Sequence, residues 1–141
     1  METQIKIAKA HWHRMTPGLV KVFIKFAMAV KTKNKNEIHF LRDLELDHSE
    51  YNNAQKLRYF ALIAKLKENG EHKRGWWVIT RRGGDFLRNE TFIPLKIMTL
   101  NNKIVRKSEA VCRITDFIRS YDDAYWQTEF GSLNLSQQAL L

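Results

Sequence analysis

The sequence predicts a small α+β fold, and three observations carry that expectation. Between residues 46 and 87 a helical pattern gives way to an alternating segment and a short apolar run joined by a polar turn. Ahead of it, Thr16 followed by Pro17 opens a long apolar helix, because Pro fits the first helical turn. Behind it, Asn101-Asn102 separates two extended runs, and Asn tolerates the positive φ of a tight hairpin turn. At 141 residues and 44% hydrophobic content, the chain has material for one core.

In the first helix, Leu19, Val22, Phe23, Phe26 and Val30 form one stripe. Val20, Ile24 and Met28 widen it until Lys21 and Lys25 remain as a narrow polar strip. Such a helix needs cover on more than one side. The cover is either the aromatic tail (Tyr121, Tyr125, Trp126, Phe130) or a second copy, which would make a symmetric homodimer. Ile38, His39 and Phe40 are expected to form a short strand, and 41–46 a short second helix.

The next helix is expected to start at Ser49, whose hydroxyl suits an N-cap, with Glu50 at the positive end of the dipole. At 100° per residue Tyr51, Ala54, Leu57 and Ala61 share the buried face, and Asn52, Gln55, Lys56 and Tyr59 the opposite one. Asn and Gln can bond adenine bidentately, and Lys reaches guanine or phosphate. Arg58, at the edge of the buried face, is placed to ion-pair with Asp43, Glu45 or Asp47.

Leu62, Ala64 and Leu66 alternate with Ile63, Lys65 and Lys67, the period of a half-buried strand. The polar run from Glu68 to Gly75 reads as a turn, and Trp76, Trp77, Val78 and Ile79 as the returning strand. Thr80 then caps a helix beginning with Arg81 and Arg82. Gly83 and Gly84 are each about 1 kcal/mol poorer than Ala inside a helix, so a Trp is expected to pack closely there. The two Trp side chains read as core and wing support. A last helix is expected from Thr115 through Arg119.

This succession is what a winged helix-turn-helix requires, a recognition helix followed at once by a two-stranded wing. Charge agrees. The formal net charge is +9, distributed as +7 over residues 1–36, −4 over 37–55, +9 over 56–107 and −3 over 108–141. Positive charge therefore gathers on the recognition helix, wing and following hairpin, as a footprint for a polyanion does.

Two runs carry a resemblance: Tyr51-Asn52-Asn53-Ala54-Gln55-Lys56-Leu57-Arg58-Tyr59-Phe60-Ala61-Leu62-Ile63 and Gly75-Trp76-Trp77-Val78-Ile79-Thr80-Arg81-Arg82-Gly83-Gly84-Asp85-Phe86-Leu87. Over residues 16–100 the chain resembles the winged helix-turn-helix proteins of bacteriophages and mobile elements. One departure is Ala61, where a Gly often ends the recognition helix. The resemblance implies a DNA-binding regulator.

Other classes find little support. Cys112 is the one cysteine, so no internal disulfide can form, as suits a reducing cytoplasm. The opening METQIKIAKAHWHR lacks an apolar signal core, and the longest apolar stretch, 19–30, falls short of the roughly 20 residues of a membrane span. His11 and His13 could offer two metal ligands, but no Cys or carboxylate pair is near; neither a metal nor a cofactor is expected. Asp122-Asp123 is the only adjacent acid pair, and chain neighbours point apart. An enzyme is not expected.

The expected organisation is a basic arm at 1–15, a winged helix-turn-helix domain at 16–100, and a hairpin return with a C-terminal helix at 101–141. The expected function is sequence-specific binding of double-stranded DNA in the cytoplasm of a bacterial host. Its contacts would be Asn52, Asn53, Gln55, Lys56 and Tyr59 in the major groove, and Lys73, Arg74, Arg81 and Arg82 on phosphates or the minor groove. The alternative is an inhibitor that binds a host nucleic-acid-processing complex through its basic face.

Overall fold

The longest element is the helix announced by Thr16 and Pro17. A computed structural model of the chain describes residues 8–129; residues 1–7 of the expected arm and Phe130 of the tail lie outside these. In it α1 runs Pro17–Lys33, the Thr16 hydroxyl accepts from the Leu19 N–H at 3.1 Å, and Asn34 ends the helix with φ 54°. Val20, Phe23, Phe26, Ala27 and Val30 are fully buried. Burying each such Phe is worth about 1.5–3 kcal/mol. Phe23 meets Phe86 at 6.2 Å between ring centres, and Phe26 meets Phe40 edge-on at 6.0 Å. Phe40 in turn stacks on Trp77 at 4.9 Å. The C-terminal segment supplies one cover of α1: Trp126 is buried in the core, Tyr125 donates its hydroxyl to the Met28 sulfur at 3.8 Å, and the Lys31 ammonium lies over the Tyr125 ring.

The chain is a mixed α+β fold with small antiparallel sheets. After β1 (His11–Arg14) and α1 come β2 (Ile38–His39), α2 (His48–Ala54), β3 (Ile63–Glu68) and β4 (Glu71–Ile79). Then follow α3 (Arg81–Leu87), β5 (Ile93–Pro94), β6 (Lys96–Leu100), β7 (Lys103–Lys107), β8 (Val111–Cys112) and α4 (Asp123–Glu129). One sheet has the order β2-β4-β3, a second β1-β6-β7, and β5 pairs with β8. The expected strand at Ile38 is therefore present and pairs with β4, with Ile38 opposite Trp77 and His39 opposite Trp76. Asn36 extends that edge with its side chain, donating to the Ile79 carbonyl at 2.9 Å and accepting from its N–H at 2.7 Å.

Several local expectations are corrected. Residues 41–46 form no second helix; the chain makes a single turn there, closed by the Asp43 N–H on the His39 carbonyl. The His39 ring accepts from the Leu41 and Arg42 N–H groups, and Asp43 accepts from the His39 N–H, so side chains satisfy what a helix would have used. The cap of α2 is Asp47 rather than Ser49, because Glu50 then stands at the third helical position and closes a reciprocal capping box. That helix ends at Ala54 and tightens into a 3₁₀ turn, Gln55–Arg58, and Ala61 sits in the left-handed region at φ 61°.

Glu68 to Gly75 is not an open turn. Asn69 and Gly70 take φ 54° and 82° and close a two-residue hairpin, so the strands run on to Glu68 and from Glu71. The register shifts between Lys65 and Lys67, where Lys73, Arg74, Gly75 and Trp76 lie opposite Leu66 alone. Gly75 has φ 82°, and a Cβ there would lie 2.7 Å from the His39 ring. Thr80 caps α3 as expected, accepting from the Gly83 N–H at 2.9 Å. Gly83 abuts the Leu62 carbonyl and Ile79, not a Trp. The expected helix at Thr115–Arg119 is reduced to a 3₁₀ turn, Ile114–Asp116, which Arg113 rather than Thr115 precedes and whose Asp116 carboxylate accepts from the Arg113 N–H; the helix follows as α4.

Candidate nucleic-acid interface

Between α2 and the β3–β4 hairpin lies a cleft with basic walls. Tyr51 and Gln55 line it from the helix side, Lys65 from β3, and His72, Lys73, Arg74 and Trp76 from β4. His39, Phe40 and Leu41 form its end. No carboxylate is among its lining residues. The geometry follows from the register: Lys65 stands opposite Trp77, so both face the same way. Trp77 is covered by Phe40, whereas Lys65 lies further out and emerges into the cleft. Trp76 is half-buried, edge-on to His39 at 5.2 Å, with the Lys73 ammonium 4.7 Å and the Lys33 ammonium 5.1 Å from its ring centre. Lys73 also reaches Glu68 at 3.5 Å. Arg74 is exposed.

The residues expected to read DNA do not all meet there. Gln55, Lys73 and Arg74 do. Asn53 and Lys56 instead line a second hollow on the far side of α2, with Arg14, Thr16 and Ser49. The Asn53 amide is half-buried and donates to the Ser49 carbonyl of its own helix at 2.8 Å. Asn52 is exposed, within 3.2 Å of the His48 ring. Tyr59 stacks on His13 at 5.0 Å, and its hydroxyl donates to Asn102 at 3.2 Å, which ties it to the β6–β7 turn. Arg58 makes no ion pair with Asp43, Glu45 or Asp47 among the described residues; it donates to the Tyr59 hydroxyl and lies against that ring. Asp43 is taken by Lys33 at 3.0 Å. Arg81, exposed, and Arg82, half-buried, stand in the first turn of α3 and contribute to neither hollow.

Lys65, Tyr51 and His72 complete the cleft and were not singled out from sequence. Lys65 was visible as an outward position of an alternating strand. Tyr51, expected in the core, is half-buried at its edge.

Electrostatics hold α2 in place. The Lys25 ammonium, first, and then the Asp47 N–H keep the Glu50 carboxyl below its usual range; Lys25 sits 2.9 Å from it. Burial pushes Asp43 up, but the His39 N–H and Lys33 more than offset this and hold it low. Burial, then Lys56 and His11, push His13 below the ordinary imidazole value, and its Nε2 lies 2.8 Å from the Thr99 hydroxyl. Cys112 is buried, and burial, with Asp116 adding, pushes its thiol up to about 11. Among the described residues no three His, Cys, Asp or Glu side chains gather as metal ligands, and no helix is long and apolar enough to cross a membrane.

Compared with known proteins, the chain matches no family model, no curated protein and no solved structure.

Proposed function

We propose that this chain is a winged helix-turn-helix protein of reduced form that binds double-stranded DNA sequence-specifically, as a transcriptional regulator of a phage or mobile element does. In this reading α2 enters the major groove and the β3–β4 hairpin is the wing. The single observation that carries it is the acid-free cleft in which Gln55, at the start of the 3₁₀ turn that continues α2, faces Lys65, Lys73 and Arg74 from the hairpin. An amide reads base edges and the cations grip the flanking phosphates. The order helix, short strand, turn, helix, hairpin supports it, with the single turn after His39 standing where such a fold has its second helix.

Selection of duplexes from a random pool tests the proposal, followed by titration of the preferred site. Gln55→Ala should cost about 1–3 kcal/mol on that site and leave weak non-specific binding nearly intact. Its stability should move by no more than about 0.5 kcal/mol, as at other exposed positions. A selected pool with no site preference overturns the proposal.

A further inference from the structure

The outer face of the β1–β6–β7 sheet takes no part in that reading. Directly opposed residues of an antiparallel pair share a face, as do alternate residues of one strand. Ile97 and Thr99 of β6 are buried, so Lys96, Met98 and Leu100 point outward. Arg14, which also lines the second hollow beside Glu50, stands opposite Lys96, and Lys103 opposite Leu100. Trp12 and Arg106 flank Met98 from either side and complete a row across all three strands. Trp12 is 44% exposed. Arg14, Lys96, Lys103 and Arg106 make no ion pair among the described residues, and no acidic residue stands among the strand residues of this face.

Four unpaired like charges on one small face repel one another, and a bound polyanion removes that repulsion. The exposed indole among them narrows the choice. A flexible single strand can lay phosphates on the cations while turning one base onto the ring; bases in a duplex are already stacked on their neighbours. An acidic peptide would answer the charges and leave the indole without a partner. No hydroxyl, amide or carboxylate side chain stands among the strand residues of this face, so no side chain there accepts from a ribose 2′-hydroxyl. We propose that this face is a docking surface for single-stranded DNA, with Trp12 stacking a base and Arg14, Lys96, Lys103 and Arg106 holding the backbone.

Fluorescence anisotropy of a short labelled oligothymidylate, titrated with the full chain, tests this. Trp12→Ala should weaken binding about 5- to 100-fold and Trp12→Phe far less. Lys96→Gln and Arg106→Gln should each flatten the plot of log affinity against log salt by about 0.7. Arg119→Gln, at an exposed cation outside both regions, should leave the single strand bound as before. Unchanged binding by Trp12→Ala, with circular dichroism like that of the parent, overturns the proposal. So does oligoglutamate competing as well as the DNA, and an oligouridylate binding ten-fold tighter gives the face to RNA instead. If wing variants rather than sheet variants abolish single-strand binding, this inference fails while the duplex reading stands.

Discussion

The wing cleft and the outer face of the second sheet carry similar cations in different settings. In the cleft, Lys65, Lys73 and Arg74 line a concavity beside a helix and share it with the Gln55 amide, and Lys73 already has Glu68 and the Trp76 ring as partners. On the sheet, Arg14, Lys96, Lys103 and Arg106 stand on a strand surface around one exposed indole, with no amide among them. The cleft has what selectivity needs, a polar group held at a fixed place beside charges. The sheet has what indifference to sequence needs, charge and a ring face. Net charge alone cannot separate the two, because both regions add to the same +9.

The largest expected effect falls on the support of the cleft. Leu57 is fully buried beneath the 3₁₀ turn, so Leu57→Ala should lower stability by about 2–5 kcal/mol in a denaturant titration. A loss below about 1 kcal/mol would mean that this turn is not anchored as described. Next in size is the charge on the wing. Lys73→Ala and Arg74→Ala should weaken every duplex by a similar factor, each flattening the salt dependence by about 0.9. If they altered single-strand binding instead, the contrast between the two regions would collapse.

A smaller effect is expected at Ala61. Its left-handed backbone costs a residue with a Cβ about 1–2 kcal/mol, partly offset in glycine by the greater freedom of the unfolded chain. Ala61→Gly should therefore stabilise by about 0.5–1 kcal/mol, read as a raised midpoint of thermal unfolding. The smallest effect belongs to His13, which ties the end of the 3₁₀ turn to the inner face of the second sheet by stacking on Tyr59 and bonding Thr99. Its pKa is lowered by folding, so the folded state favours the neutral ring. Its contribution is complete above the ordinary value of 6.5 and is lost as pH falls from there through the folded value. Denaturant titrations of the parent and His13→Gln at pH 7.5 and 5 should show a drop on acidification that is smaller in the variant.

What was legible in the sequence was local. Thr16-Pro17, Thr80 and Asn101-Asn102 each settle their element through a neighbour within a few residues, and all three behave as expected. What was missed depended on competition. A helix at 41–46 loses to His39 and Asp43, whose side chains satisfy the backbone first. Ser49 loses the cap to Asp47, because only Asp47 has Glu50 at the reciprocal position. A reading face drawn at 100° per residue misses the 3₁₀ turn, which advances by about 120° and helps carry Lys56 and Tyr59 round toward β1. The pairing of β1 with β6 joins segments far apart in the chain, and no local pattern announces it.

The buried thiol of Cys112 has a practical consequence. It is the one cysteine of the sequence, it is covered, and with its pKa raised to about 11 it stays protonated at neutral pH. The parent chain should therefore react slowly with maleimide dyes in its folded state. A cysteine introduced at Asn69, on the hairpin tip, or at Lys103, at the start of β7 on the outer face, should take a dye alone. Two such single-label proteins would report separately on what approaches the hairpin and what approaches the sheet, without first removing a native cysteine.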